Sequence, residues 1–194
     1  MIGLITLSMP NDIFKDNRNS LMEIGEIYFW TATINQWQPL LQADDFKEVI
    51  IDSLRYLSQK GKIDVYAMVI MPNHIHLIWR MNEMNGKETA YASFLKHTGH
   101  SLKKLIEAQQ PTMLENFKVY GKDKSYEFWQ RNSLAIRLHG RDMAIQKLEY
   151  IHNNPLAEHW VLARDPNEYV YSSCSFYERQ DQRFDFLKDL RELF

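Results

Sequence analysis

The stretch that decides the fold is Val69-Ile70-Met71-Pro72-Asn73-His74-Ile75-His76-Leu77-Ile78-Trp79, which is apolar apart from one asparagine and two histidines. Proline cannot donate a hydrogen bond within a sheet, so the Met-Pro-Asn triplet predicts a turn between two strands. Successive side chains of a strand alternate between faces, which puts both imidazoles on one face and their apolar neighbours on the other, in a core. Two histidines on one strand face are typical of a metal site, although a half-exposed strand with two polar residues has the same pattern.

Hydrophobic periodicity assigns elements on both sides of this stretch. Strands are predicted at 27–34, 63–70, 74–81, 128–130 and 134–138. Helices are predicted from Asp44 to the stop at Gly61, from Tyr91 to Ile106, interrupted or bent near Gly99, and from Asp142 to about Asn153. This order predicts an α+β domain with a ferredoxin-like antiparallel sheet and helices on one of its faces.

The two ends of the chain differ from this pattern. Residues 1–23 have no clear period and are predicted to form an irregular N-terminal arm. The main domain is predicted over 24–177. Residues 178–194 form an amphipathic tail, in which the stretch from Phe184 to Phe194 predicts a C-terminal helical extension packed on the domain or on a partner.

Length and composition limit the class of protein. The 194 residues fit one domain with appended arms, and the net charge of −2 does not describe a basic nucleic-acid binder. The single cysteine, Cys174, rules out an internal disulfide framework and a thiolate metal cluster, which fits the reducing cytoplasm as the expected location. No apolar run approaches the ~20 residues of a membrane helix, so no membrane partner is expected.

The charge is nevertheless uneven. Between Lys96 and Lys147 there are ten Lys or Arg residues against five Asp or Glu residues, a local charge of +5. The remainder of the chain then carries −7. Such a basic middle can bind a polyanion, and it can equally be a solvated face.

A second stretch with chemical potential is Tyr150-Ile151-His152-Asn153-Asn154-Pro155. On a helix, Tyr150 and Asn154 stand at i and i+4 and share one face. A tyrosine oxygen can act as a covalent nucleophile, but its ordinary pKa of ~10 means that it needs help at neutral pH. The Asn154 amide oxygen suits Mg²⁺ or Mn²⁺. Taken alone, a Tyr-x-x-x-Asn pair is more simply explained by helix packing and capping.

Together the two stretches resemble the signatures of the single-tyrosine HUH transposases, the insertion-sequence 200-like enzymes. They are most similar to the REP-associated tyrosine transposases. Phe128-Trp129-Gln130-Arg131, Arg137 and the stretch from Tyr169 to Ser173 are also similar to that branch. The resemblance extends over about Ile27 to Ser173.

The resemblance implies a role for each matching residue. His74 and His76 would be catalytic residues that bind a divalent metal, Mg²⁺ or Mn²⁺, with Asn154 as the third ligand and Tyr150 as the nucleophile. The implied reaction cleaves and rejoins single-stranded DNA through a 5′-phosphotyrosine, and the implied partner is single-stranded DNA with hairpins, bound by a monomer or a homodimer. Candidate DNA-binding residues, each of which could instead be an ordinary surface charge, are Lys96, Lys103, Lys104, Arg131, Arg137 and Arg141.

Two other classes remain open. A metal-dependent phosphodiesterase could use water at the same histidine pair, and it would leave no covalent protein–DNA adduct. A non-catalytic protein on the same fold could bind hairpin DNA or RNA, and its binding would survive the loss of Tyr150.

Overall fold

The structure is a computed structural model that describes residues 22–120, 125–131 and 133–194. The predicted N-terminal arm lies outside the described residues except for its last two. Four strands form one sheet in the order β2-β3-β1-β4. Their bounds are β1 Ile27–Thr33, β2 Ile63–Ile70, β3 His74–Met81 and β4 Leu134–Arg137.

The sheet has the predicted ferredoxin-like topology. Strand β3 pairs antiparallel with both β1 and β2, and β4 pairs antiparallel with β1. Strands β1 and β2 are therefore parallel to each other, with β3 between them. The predicted Met-Pro-Asn turn joins β2 to β3, and the Met71 N–H donates to the His74 carbonyl at 2.8 Å. The α+β class predicted from the sequence is confirmed.

Helices α1 (Asp44–Gln59) and α2 (Ala90–Gln109) cover one face of the sheet. Their apolar stripes pack on Trp30 and Trp79, whose ring centroids are 4.8 Å apart. The interruption considered near Gly99 is absent, because α2 runs through this residue as one continuous helix. Glycine costs about 1 kcal/mol in a helix, and the fully buried Phe94 and Leu102 on either side offset that cost.

Helix α3 (Arg141–Asn153) packs on the opposite face, so the prediction of helices on one face holds for α1 and α2 only. The reason lies in the central strands, which are buried on both faces. The apolar stripe of α3 meets Phe29, Ala67 and Ile78, and these side chains point away from the first core. Two separate cores therefore sandwich the sheet.

The C-terminal tail differs from its prediction. No helix spans Phe184 to Phe194, and the last two helical elements of the chain are the short α4 (Cys174–Arg179) and a 3-10 turn at Leu190–Leu193. The chain between them lies beside β2, where Leu187 bridges Val65 in parallel and the Lys188 N–H donates to the Val65 carbonyl at 2.9 Å. Because β2 is the edge strand of the sheet, its outer backbone N–H and C=O groups need partners. The extended tail supplies such partners, whereas an amphipathic helix would not.

Two smaller points complete the fold. The predicted strand at 128–130 is only an isolated bridge between Trp129 and Ile34, flanked by hydrogen bonds from Asn35 to Phe128 and from Gln130 to Thr33. Within the described ranges, no helix is both long enough and apolar enough to cross a membrane.

Candidate active site on the second face of the sheet

The structure brings together the two sequence stretches that carry the predicted site. His74 and His76 lie on β3 with ring centroids 4.7 Å apart, and the Tyr150 ring of α3 lies 5.3 Å from the His76 ring. Asn154 follows α3 by one residue, on the same side as Tyr150. The meeting depends on α3 packing across the histidine face of the sheet.

Each histidine ring is held through its Nδ1 atom. His74 Nδ1 lies 2.7 Å from Asn73 Oδ1, and since that amide oxygen only accepts, the ring donates. His76 Nδ1 lies 2.7 Å from Thr31 Oγ1 on the neighbouring strand. Both contacts leave Nε2 for another partner, as in metal sites where an outer hydrogen bond orients a ligating imidazole.

Two polar atoms of the site have no partner. The described residues contain four buried side-chain N or O atoms without a hydrogen bond, and two of these are His76 Nε2 and Asn154 Oδ1. A buried donor or acceptor without a partner costs about 1–3 kcal/mol. Since both unpaired atoms belong to the same site, we infer that this site can hold an additional group that contacts both.

Burial keeps the histidines neutral. Loss of solvent lowers the pKa of His74 to about 4, against a contact with the Asn154 amide that acts in the opposite direction. Burial also holds the pKa of His76 well below its usual value, and the nearby His74 and Lys147 add to the effect. At neutral pH both rings are therefore uncharged, which is the form that ligates metals.

Tyr150 is in reach of solvent. Its side chain is 40% exposed, and its ring meets Phe29 edge-on at 5.8 Å as well as His76. Burial raises the pKa of its hydroxyl, and the neighbouring Asn154 amide opposes that rise. The hydroxyl is thus protonated at neutral pH and needs a local positive charge to become a good nucleophile.

Lys147 supplies such a charge, and the sequence reasoning did not place it in the site. Its ammonium lies 5.1 Å from the Phe29 ring centroid and 5.8 Å from that of Tyr150. The residue is buried, burial lowers its pKa, and no carboxylate of the described chain pairs with it. The sequence does indicate this position, because Lys147 lies three residues before Tyr150 and residues i and i+3 share a helix face.

The predicted DNA-binding cations do not line this site together. Lys96, Lys103 and Lys104 belong to α2 on the other face of the sheet, Arg137 belongs to β4, and Arg131 lies in the loop before it, whereas Arg141 begins α3. Four of them form ion pairs: Lys96 with Glu88, Lys103 with Glu107, Arg131 with Glu127, and Arg137 with Glu23 and Glu26. Lys104 and Arg141 are exposed and have no ion pair within the described ranges.

A cleft lies between α2 and the segment 125–130. It has a volume of about 660 Å³, and its wall includes Lys96 and Lys103 beside Tyr126 and Trp129. The Lys103 ammonium lies 5.1 Å from the Tyr126 ring centroid. Aromatic faces next to cations are the composition that single-stranded nucleic acids bind.

Comparisons with known proteins find similarity at the level of the fold. No family model matches the chain, and no curated protein matches it. The chain shares its fold with a solved structure, a REP-associated tyrosine transposase bound to a REP hairpin, which aligns with a TM-score of 0.57 at 14% identity, over 87% of this chain and 86% of that one. A Deinococcus radiodurans R1 protein provisionally assigned as a transposase aligns with a TM-score of 0.39 at 16% identity, over 72% and 96%. The second similarity is too distant to inform the fold.

Proposed function

We propose that this protein is a DNA transposase that cleaves and rejoins single-stranded DNA through a 5′-phosphotyrosine, with a divalent metal. The observation that carries the proposal is the contact of the Tyr150 ring with His76, whose buried Nε2 has no partner. A nucleophile, neutral imidazoles and an ammonium that has no ion-pair partner among the described residues then lie close together. The fold shared with a REP-associated tyrosine transposase supports it.

The residues present fit a divalent metal. Within the described ranges no group of three or more His, Cys, Asp or Glu side chains could hold one, so a metal here would need the Asn154 amide beside His74 and His76. The partnerless His76 Nε2 and Asn154 Oδ1 are suitable donors for Mg²⁺ or Mn²⁺. When bound, the metal would polarise the phosphate and stabilise negative charge on its oxygens.

The chain's own residues would carry the bond changes. The Tyr150 oxygen attacks phosphorus, the bond from phosphorus to the 3′ oxygen breaks, and the departing oxygen takes up a proton while Tyr150 loses its own to solvent. Lys147 would stabilise the negative charge on the tyrosine oxygen and on the phosphate. A 3′-hydroxyl can later attack the phosphotyrosine and reverse the step, so no ATP is consumed.

We further propose single-stranded DNA with hairpins as the partner, as in the similar structure, which holds a REP hairpin. The cleft at α2, where Lys96 and Lys103 lie beside Tyr126 and Trp129, would bind the strand away from the site. Each phosphate contact on a single strand contributes roughly −0.7 to the slope of log affinity against log salt concentration. Reversing the charges of Lys103, which lines the cleft, and of the neighbouring Lys104 by substitution with Glu should flatten the slope. Lys60→Glu, directly after α1, should not. An unchanged slope would mean that the DNA binds to a surface other than this cleft.

The decisive experiment incubates the protein with labelled single-stranded DNA from beside its own gene, with Mn²⁺, and separates the products on a denaturing gel. The proposal predicts a covalent adduct, and peptide mass mapping should put the nucleotide on Tyr150. Cleavage without an adduct would indicate a phosphodiesterase that uses water. Binding with neither product would indicate a non-catalytic nucleic-acid binder.

A further inference from the structure

Two tryptophans from separate loops stand beside His74. The Trp37 ring, in the loop after β1, lies 6.3 Å from the His74 ring, and its side chain is 59% exposed. The Trp160 ring, in the loop after α3, lies 6.0 Å from the same ring and is half-buried. An indole is the largest apolar side chain, so exposure next to a polar site needs an explanation.

Backbone strain is concentrated at the same two loops. Among the described residues, four other than glycine have positive φ, and three of them are Gln36 at 54°, Trp37 at 57° and Val161 at 45°. Val161 directly follows Trp160, and a β-branched residue is especially disfavoured there. Such conformations are unfavourable and persist where the surrounding structure enforces them.

Hydrogen bonds hold both loops in these conformations. Asn73 Nδ2 donates to the Trp37 carbonyl at 3.2 Å, and the same asparagine accepts from His74. The Val161 N–H donates to the Ala157 carbonyl at 3.0 Å. The Trp37 backbone therefore helps to orient His74, but its indole takes no part in that contact. The ring can be changed without removing the carbonyl that holds Asn73.

We propose that Trp37 and Trp160 are nucleobase-stacking platforms, which hold the unpaired bases next to the scissile phosphate. The proposal rests on the proposed function for the identity of the ligand, single-stranded DNA. A phosphate at Tyr150 and His74 places the adjoining bases within reach of both indoles. Stacking is tolerant of sequence because every base has an aromatic face, and the nearby Lys147 favours a polyanion over a neutral apolar partner.

The test measures the affinity of the full chain for a fluorescent oligo(dT) and for a strand of equal length that has the backbone but no bases. EDTA is present, so cleavage does not enter. The variants are Trp37→Leu, Trp160→Leu and, for each position, the Phe variant that keeps an aromatic face. Tyr56→Leu is the control, because Tyr56 is 56% exposed on α1, which packs on the face of the sheet opposite to α3.

We expect each Leu variant to bind oligo(dT) about five-fold or more weakly, with the Phe variants in between and the control unchanged. On the base-free strand, wild type and variants should bind equally. Equal affinity of the Leu variants for oligo(dT), an equal loss on both strands, or no binding by the wild type would overturn the proposal. If the Leu variants lose affinity but no covalent adduct forms, the transposase proposal fails and the stacking proposal stands. If an adduct forms but the Leu variants bind oligo(dT) as tightly as the wild type, the stacking proposal fails and the transposase proposal stands.

Discussion

Thr31 Oγ1 on β1 lies 2.7 Å from His76 Nδ1 on β3, and the two residues are direct partners in the sheet register. The contact fixes the imidazole ring and leaves its buried Nε2 at the site. A hydroxyl on a central strand thus sets the orientation of the proposed metal ligand.

Replacing Thr31 with Val removes the hydroxyl and keeps the shape of the side chain. We expect the affinity for Mn²⁺ to fall by roughly 10- to 100-fold, as is typical when an outer hydrogen bond to a ligand is lost. Isothermal titration calorimetry measures it directly. Wild-type affinity in this variant would mean that the ring is oriented by packing alone.

His74→Ala and His76→Ala should each remove metal binding and metal-dependent cleavage while the fold survives. The matched control is His152→Ala, since His152 is also buried on α3 but is hydrogen-bonded to Ser173 Oγ at 3.0 Å and packs on Tyr177. That variant should lose thermal stability and keep its metal affinity. A normal cleavage rate in His76→Ala would contradict the assignment.

Tyr150→Phe removes one oxygen and leaves the ring contacts with Phe29 and His76 in place. The protein should still bind DNA and metal but lose both cleavage and adduct, as read on a denaturing gel. A variant that continues to cleave would be a phosphodiesterase using water. A nucleotide mapped to another tyrosine, such as Tyr169, would mean that the wrong helix has been assigned.

Lys147→Met should have opposite effects on stability and activity. It removes a buried ammonium without a counter-ion in the described chain, so the melting temperature should rise. Loss of the positive charge near Tyr150 should slow single-turnover cleavage by roughly 100-fold. Lys147→Arg, which keeps the charge, should retain more activity than the Met variant. Equal rates in all three proteins would remove Lys147 from the mechanism.

Asp64 gives a pH-dependent prediction for the fold. Burial opposes its ionisation, but hydrogen bonds from Lys188 and Arg80 outweigh that effect and lower its pKa from 3.8. A lowered carboxyl pKa stabilises the folded state above the unfolded value and loses that contribution as the pH falls through the folded value. Asp64→Asn should cost roughly 2 kcal/mol at pH 6, with the difference narrowing below about pH 4. Urea unfolding across this pH range measures it; a constant difference would contradict the argument.

The sequence by itself determined the strands around the Met-Pro-Asn turn, which occupy the predicted residues, and the common face of His74 and His76. Both follow from local rules, because the two-residue period of a strand and the missing N–H of proline act over a few positions. The helical spacing that aligned Tyr150 with Asn154 was equally local.

Only the tertiary structure decided what depends on long-range packing. Helix α3 lies on the histidine face because Phe29 and Ile78 complete a second core there, and this brings Tyr150 to His76. The tail from Phe184 gave a helical pattern, yet the open edge of β2 binds its backbone instead. Lys147 and the two tryptophans belong to the site through contacts between distant segments. Residue spacing along the chain cannot encode such contacts, because they depend on which surfaces of separate elements are buried together.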